Sequence, residues 1–534
     1  MHHQMNQPRR FGGLASRLAF ALAVAALSGC GEHNATEPED PTGDPVAEVG
    51  PAGSSAADLG DEASAAVPTA DASGVMAAAT RLPKSFFVNP TSGSDANPGT
   101  QLKPFKTLAK GLSLAISGDT MQLTPGTYSA ATNGEQFTTS TRQVGVPAGV
   151  KIFGTSQTQF IILKAGPGDL VGLNFRGAAT VRDLHVRGFP AGLTASQGVQ
   201  SIRGMELDVN QVGLKLSGSA KTTLTSSSVL VRPGIGSLGA SVIQQAQLIV
   251  AGGFISAGFF PNCATGVNGV SLLDAARLTM KNGATMTNIM GTALELRQTS
   301  KATLTGVTKI QRDFTGFAGC VPLPGVNAFD STSLTLQNAQ IVNTNGGKSA
   351  TAISWASRGL VTLDSALVKN YGFAGLHSPG NLRLVAANTT FQLNGVGINV
   401  VDGPKSSITL TGSTVSNNVI GIHAPGVKLR RTLVTSNQQT GILLSSASGN
   451  DLGLTTDLGH NLIAANGITG VAFDGKVTGG AFISAAGNSW TPLTQGSNGS
   501  GLYQQMVLTG TSVNPPASGK NFTLPPNLNF KIQL

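Results

Sequence analysis

The sequence is poor in charged and in aromatic side chains. Only 11% of its 534 residues are charged and 5% are aromatic, whereas an ordinary soluble domain carries about 25% charged residues. This scarcity excludes a coiled coil, whose exposed helix faces need many charges. The 40% share of apolar residues excludes disorder over the whole length, because such a chain can bury a large core.

Signals for metal binding and for common catalytic loops are also missing. The chain has three cysteines, and neither their spacing nor that of the histidines predicts a zinc site. It contains no phosphate-cradling glycine loop and no nucleophile elbow. We therefore expect no metal and no cofactor, with calcium as the exception if the protein is a polysaccharide lyase.

Residues 1–29 have the composition of an export signal. Three arginines precede an apolar run at residues 18–27 that is too short to span a bilayer stably. Residues 27–30 read Leu-Ser-Gly-Cys and resemble the bacterial lipobox, in which lipid is attached to the cysteine. The resemblance implies lipidation of Cys30 and anchoring of an exported protein to a bacterial membrane, at the outer surface or in the periplasm.

Residues 30–80 form an acidic stretch that holds ten Asp and Glu and no Lys or Arg. Because it also lacks aromatic residues, we expect a disordered linker. Removing these ten acids and the three signal arginines from the totals of 26 and 35 leaves 16 acids and 32 bases in the remainder. Such charge favours an acidic polysaccharide or cell-envelope polymer as partner, by attraction that salt weakens. The alternative is a surface that is merely soluble, and we expect no nucleic-acid partner.

A short pattern recurs from residue 171 onward: a small residue, an apolar one, a variable one and an apolar one. Each copy alternates with period two, as a half-buried strand does. The glycines of four successive copies, Gly375, Gly397, Gly421 and Gly441, lie 22, 24 and 20 residues apart. Repeats of this length, built only of strand and turn signals, predict a parallel β-helix over residues 146–500.

Asparagines recur where the strands between these copies end, as at Asn343, Asn394 and Asn418. Asparagine tolerates left-handed backbone angles, so these positions predict tight corners. Residues 81–145 are expected to form an N-terminal cap with the first coil, and residues 501–534 a C-terminal closing segment, because a solenoid must cover its ends.

The cap is expected to contain a short helix that begins at Pro104 and ends at Gly118. Its predicted apolar face consists of Phe105, Leu108, Leu112 and Ile116.

The residues of this cap resemble a known family. The matching segments are residues 86–90, 93–95, 97–100, 103–108, 118–120 and 123–128. They resemble the N-terminal module, domain of unknown function fifteen-sixty-five, of exported bacterial β-helix proteins in the pectate-lyase-like superfamily. The resemblance implies an all-β fold, a single-stranded right-handed parallel β-helix with a short N-terminal capping helix. That superfamily includes lyases, hydrolases and proteins without known activity, so the fold does not assign a function.

One repeated constellation is the candidate binding site. His377-Ser-Pro-Gly recurs as His423-Ala-Pro-Gly two coils later, with Asn399 at the equivalent place between them. Strand alternation directs all three side chains outward, in a stack that suits a sugar or an anion. Simple duplication of the repeat is the alternative explanation. The arginines expected to join this site, from their closeness in the sequence, are Arg383, Arg430 and Arg431.

Two further groups of residues have structural interpretations. Cys263 and Cys320 precede their strands by about the same distance, and export to an oxidising compartment allows a disulfide between them. The scarce carboxylates that follow strands are expected to accept hydrogen bonds from turn amides. These are Asp274, Asp330, Asp402 and Asp474.

The sequence therefore leaves three functions open. The first is a lipid-anchored envelope protein that binds an acidic polysaccharide or cell-envelope polymer without catalysis. The second is a polysaccharide lyase or glycoside hydrolase that acts on an acidic polymer, and the third is a structural or adhesive envelope protein.

Overall fold

The computed structural model divides the chain into two units, Met1–Ala78 and Ala79–Leu534. The residues it describes belong to the second unit: 81–156, 159–232, 237–257, 267–289, 291–312, 323–344, 350–401, 403–446, 448–454, 456–467, 469–474, 482–485, 488–491, 506–508 and 531–533. The export signal, the linker and the three cysteines lie outside the described residues.

The body coils through three strand faces in turn, which we call faces 1, 2 and 3. Face 1 consists of Ser85–Val88, Thr120–Leu123, Val150–Gly154, Ala179–Arg182, Val199–Arg203, the first part of Lys221–Val231 and of Gln247–Ala257, Arg277–Lys281, Lys301–Thr305, Ser333–Gln337, Leu360–Asp364, Arg383–Ala387, Ser407–Thr411, Lys428–Arg430, Asn450–Gly453, Phe482–Ala485 and Lys531–Gln533. Face 2 consists of Gly126–Tyr128, Ile161–Lys164, His185–Arg187, Glu206–Val209, the second part of the same two long strands, Thr285–Thr287, Lys309–Arg312, Gln340–Asn343, Leu367–Lys369, Thr390–Gln392, Thr414–Ser416, Leu433–Thr435, Leu462–Ala464 and Ser489–Thr491. Face 3 consists of Val171–Phe175, Ala191–Ala195, Val212–Leu216, Leu238–Val242, Asn268–Leu272, Leu294–Leu296, Val326–Asp330, Thr351–Ser357, Ala374–Ser378, Val396–Val400, Ile420–Ala424, Thr440–Leu444, Thr469–Phe473 and Met506–Leu508.

All pairings between these strands are parallel, and each strand pairs with its counterparts one coil before and one coil after. On face 3, Leu376 pairs with Ile398, Ile398 with Ile422 and Ile422 with Ile442. These registers reproduce the predicted glycine spacings. The predicted right-handed parallel β-helix is confirmed, and a right-handed crossover is the hand that twisted strands favour.

Alternating side chains of each strand fill one continuous apolar interior. On face 1, for example, Leu224, Val250, Met280 and Leu304 occupy successive coils in one register and are almost fully buried. Each inward side chain therefore packs on its neighbours about 4.8 Å above and below. The same alternation turns the intervening residues outward.

The first position of the repeated pattern is a small residue for a steric reason. At Gly397, an added Cβ would meet the carbonyl oxygen of Gly421 in the next coil, and Gly421 meets that of Gly441 in the same way. The column runs from Gly172 to Gly470, with alanine at Ala293 and Ala352. At its glycines as far as Gly441, neighbouring backbones approach so closely that an added Cβ would meet a carbonyl oxygen of the next coil. A very small residue at this place is therefore a requirement of the stacked coils and not of one turn.

Asparagines at the corner between faces 2 and 3 form a buried ladder of Asn394, Asn418, Asn437 and Asn466. The Oδ1 atoms of Asn418, Asn437 and Asn466 each accept from both the backbone and the side-chain amide of the asparagine one coil earlier, at 2.9 to 3.1 Å, and Asn394 Oδ1 accepts from the backbone amide of Tyr371. Each Nδ2 also donates to the carbonyl of a face 2 strand. The left-handed backbone belongs to the residue before each of them. These asparagines therefore form hydrogen bonds with buried backbone amides and carbonyls. The sequence pattern predicts only that they adopt the backbone angles of a tight corner.

The capping helix is present but shorter than expected, at Leu108–Leu114, and a second short helix follows at Ala130–Asn133. Thr107 caps the first helix, and the buried carboxylate of Glu135 accepts from the amides of Leu108 and Ala109. Phe105, expected inside the helix, instead forms a parallel bridge with Val88 and is buried. The helix therefore starts after Phe105, because Thr107 and Glu135 accept hydrogen bonds from the free amides of its first turn.

We predict that Gly397→Ala lowers the free energy of unfolding by about 1–3 kcal/mol, because the new methyl group collides with the backbone of the next coil. Gly380→Ala is the matched control, since no atom lies within 4 Å of its added Cβ. Thermal and urea unfolding followed by circular dichroism would measure both. Equal stability of the two variants would contradict the steric explanation.

Candidate functional site

The outward residues in the middle of face 3 form one polar column. Eleven successive coils place them in direct register: Asn174, Thr194, Lys215, Ser241, Ser271, Glu295, Asn327, Ser354, His377, Asn399 and His423. The next position is Leu443, which ends the polar run. With about 4.8 Å per coil, the polar column extends on the order of 50 Å. It is a stripe of polar side chains along the outside of the solenoid.

The three residues predicted from the repeat lie together at one end of this column. Asn399 Nδ2 lies 3.3 Å from His377 Nδ1, and His423 Nδ1 lies 3.1 Å from Asn399 Oδ1. The amide thus donates to one ring and accepts from the other, so a neutral His377 carries its proton on Nε2 and His423 carries one on Nδ1. The exposed ring of Phe373 stands edge-on to His377, with centroids 5.2 Å apart. Burial lowers the pKa of His377.

The far side of His423 faces a carboxylate at the edge of a cleft. His423 Nε2 lies 3.7 Å from Asp474 Oδ2, and the two side chains are 23% and 28% exposed. The cleft beside them has a volume of about 380 Å³, which is within the range of small-molecule sites. Its walls include Val401, Pro404, Pro425, Ser445 and Ser446.

The three predicted arginines do not lie on this face. Arg383 and Arg430 belong to face 1, and Arg431 adopts a left-handed backbone at the corner after it. Arg430 is buried and its Nη2 contacts Asp451 and Asp457 at 2.8 and 2.7 Å. Those carboxylates raise the pKa of Arg430 above its ordinary value, with hydrogen bonding to Asp457 as the main cause. Nearness in the sequence misplaced these residues, because one coil carries its strands to different faces.

Face 1 carries a second feature, which we call the basic face: the outward side of Val199–Arg203, the first part of Lys221–Val231 and Gln247–Ala257, Arg277–Lys281 and Lys301–Thr305. Its cations are Arg203, Lys221, Arg277, Lys281 and Lys301, all exposed. Lys221, Gln247, Arg277 and Lys301 are in one register, and Arg383 lies further along the same column. The outward residues of these strands include no Asp or Glu, and none of the five cations pairs with a carboxylate of the described chain.

The carboxylates near strand ends have mostly structural partners. Asp274 accepts from the backbone amide of Gln244, and Asp330 from that of Gln298, each one coil earlier. Asp402 lies outside the described residues. Within the described ranges, no group of three or more His, Cys, Asp or Glu could hold a metal ion. No helix in that part of the chain is long and apolar enough to cross a bilayer.

Sequence reasoning found the His377–Asn399–His423 segment but missed the rest of the polar column and the basic face. The signal for the column was present: the variable residue of the repeat is polar in copy after copy, from Asn174 onward. The signal for the basic face was a Lys or Arg at the start of a strand whose third residue is often Thr, as in Lys221-Thr222-Thr223. Cys30, Cys263 and Cys320 lie outside the described residues, so their lipidation and pairing stay predictions.

Fold and surface together define a right-handed parallel β-helix protein with long polar and basic columns on separate faces. Residues 91–180 match the family described as "Protein of unknown function (DUF1565)", which confirms the N-terminal module expected from the sequence. No curated protein matches the chain.

Several solved structures resemble the chain at low identity. The mannuronan C-5 epimerase AlgE4 A-module of Azotobacter vinelandii is 12% identical, covers 83% of this chain and all of its own, and has a TM-score of 0.32. Pectate lyase Pel9A is 10% identical and covers 59% of this chain and 80% of its own, with a TM-score of 0.32. A mannuronic acid specific family 6 polysaccharide lyase from human gut microbiota is 9% identical over 80% of this chain and 91% of its own, at 0.28. Scores this low carry no information about what this chain binds.

We predict that Asn399→Asp raises the pKa of His377, because a carboxylate next to the ring stabilises the imidazolium more strongly than the neutral amide does. Histidine ring resonances followed by NMR through a pH titration would measure it. In the wild type, the lowered pKa favours the neutral ring, so His377 makes stability fall as the pH drops below about 6.5. Asn174→Asp, at the other end of the column, is the control. An equal shift of the His377 pKa in both variants would contradict a direct effect of the contact between Asn399 and His377.

Proposed function

We propose that this protein is held at a bacterial membrane by lipid on Cys30 and binds an acidic polysaccharide or related cell-envelope polymer along its basic face. One observation carries the binding proposal: five exposed cations lie on four of five neighbouring strands, with no outward carboxylate among them. Unpaired like charges raise the free energy of the folded state. A polyanion that neutralises them removes that repulsion.

The spacing of these cations suits an extended polymer that lies along the solenoid axis. Lys221 and Arg277 are two coils apart, roughly 10 Å, and Lys301 is one coil further. Two residues further along the same strands, the neighbouring column carries the hydroxyl groups of Thr223, Thr279 and Thr303, with Ile249 in the coil between the first two. Cations therefore supply attraction to carboxylates or sulfates, and the threonines supply short hydrogen bonds to sugar hydroxyls.

Binding without catalysis is the simpler function for this face, because it presents no carboxylate to act as acid or base among the described residues. The rival function, a lyase or hydrolase for an acidic polymer, has one supporting observation, the proton-transferring pair His423 and Asp474 beside a cleft, although the charge of Asp474 disfavours an acidic sugar there. Incubation with anionic glycans, followed by ultraviolet absorbance for unsaturated products and by reducing-end assay, separates the two. If the glycans are neither retained nor cleaved, an adhesive or structural envelope protein is the remaining function.

We predict that the triple variant Lys221→Glu, Arg277→Glu, Lys301→Glu weakens binding to alginate and polygalacturonate by about tenfold or more, because three attractive charges become repulsive. Binding of the wild type should itself weaken with salt and survive chelation. Affinity electrophoresis or calorimetry would measure both effects.

The control is Lys164→Glu, Lys309→Glu, Lys369→Glu, which makes the same change in net charge on face 2. It should retain most of the affinity, with a modest loss from long-range charge. If the two triple variants lose affinity equally, the attraction depends on net charge and the basic face is not a site.

We also predict that cells grown with a labelled fatty acid incorporate the label into the wild type and not into Cys30→Ser, because the thiol is the lipid acceptor of the expected lipobox. Cys263→Ser, which leaves residue 30 intact, is the matched control and should stay labelled. Label retained by Cys30→Ser would contradict the anchor without affecting the binding proposal.

A further inference from the structure

The cleft beside His423 is formed by the residues that follow four strands of face 3. The amides of Ser445 and Asp474 donate to the carbonyls of Ala424 and Leu444, so the parallel ladder continues for one residue past the strands. This continuation holds Pro425, Ser445 and Asp474 in successive coils, about 4.8 Å apart. The cleft is thus built on backbone that is fixed by hydrogen bonds.

The lining of the cleft is amphipathic. Val401, Pro404 and Pro425 supply apolar surface, and Ser445 and Ser446 supply hydroxyl groups. A pyranose ring has the same division, with C–H groups on its faces and hydroxyls around its edge. An apolar wall with a few polar groups at fixed places is the usual construction of a small-ligand site.

The charge of the cleft differs from that of the basic face. Among its described lining residues, Asp474 is the acidic group and none is Lys or Arg. His423 is oriented by Asn399 through Nδ1 and faces Asp474 with Nε2. A carboxylate accepts strong hydrogen bonds from sugar hydroxyls but repels an acidic sugar. The chemistry therefore favours an uncharged, hydroxyl-rich ligand.

We propose that this cleft is a second binding site, which takes a neutral sugar unit through Asp474, the serine hydroxyls and the apolar wall of Val401, Pro404 and Pro425. It lies on face 3, whereas the basic face lies on face 1 several coils earlier. The protein then has two sites of opposite preference and binds a neutral glycan and an acidic polymer at the same time. The neutral-sugar site goes beyond the proposed function and does not depend on it, whereas simultaneous binding of both ligands rests on the proposed function.

The test measures binding of the full chain to neutral hexasaccharides built of glucose, xylose, mannose or galactose. Calorimetry and saturation-transfer NMR are run at about 0.5 M NaCl, where the Debye length is only a few ångströms and the basic face is screened. We expect saturable binding of at least one neutral oligosaccharide. Asp474→Asn should weaken it by about tenfold, because a charge-assisted acceptor is lost.

Two further variants separate the site from general effects. Asp364→Asn makes the same chemical change on face 1 and should bind normally. Ser446→Trp, which places an indole in the cleft from a residue beyond the end of the strand Thr440–Leu444, should abolish binding while the circular dichroism spectrum and the unfolding curve stay native. The face 1 triple variant should lose the acidic polymer and keep the neutral sugar, so failure of either proposal is recognised separately.

Absence of saturable binding by all four neutral oligosaccharides overturns the proposal. Undiminished binding in both Asp474→Asn and Ser446→Trp also overturns it, because the sugar then binds elsewhere. If Asp474→Asn does not fold, the binding measured with Ser446→Trp alone decides whether the sugar occupies the cleft.

Discussion

The described part of this molecule depends on the backbone hydrogen bonds between one coil and the next. Since the strands are parallel and each coil returns to the same register, a residue meets its counterpart in the neighbouring coil directly. One position of the repeat therefore becomes a column that runs along the whole body. The glycines from Gly172 onward are required where backbones approach closely, and the asparagine ladder serves the amides and carbonyls at one corner.

The same stacking arranges the chemistry on the surface. On face 3 it places His377, Asn399 and His423 in contact, so that one amide fixes the orientation of two imidazoles. On face 1 it places Lys221, Arg277 and Lys301 in a single exposed column. A β-helix thus presents long linear arrays, which match the repeating charges and hydroxyls of a polysaccharide better than they match a compact ligand. The proposed polymer site on the basic face uses this property, whereas the cleft beside His423 is a compact site.

The architecture was predictable because the residues that the β-helix requires recur at nearly regular spacings in the sequence. Spacings such as that between Gly397 and Gly421 gave the length of a coil, and strand alternation gave the inward and outward residues. The stack of His377, Asn399 and His423 followed from the same alternation. Prediction failed where distant groups decide local structure: the capping helix begins after Phe105 because Glu135 holds its first amides. It failed again for Arg430, which pairs with Asp451 one coil later.

By itself, the sequence determined the class of fold, the outward direction of the histidine stack and the excess of positive charge after residue 80, since each follows from local alternation or from counting. Only the tertiary structure decided which coils and faces share a surface. Arg383 lies close to the histidines in the chain but belongs to a different face, while Lys221 and Lys301 are 80 residues apart in number and lie in one column. The reason is that coils differ in length, so register is set by the hydrogen-bonded pairing of strands and not by a fixed residue count.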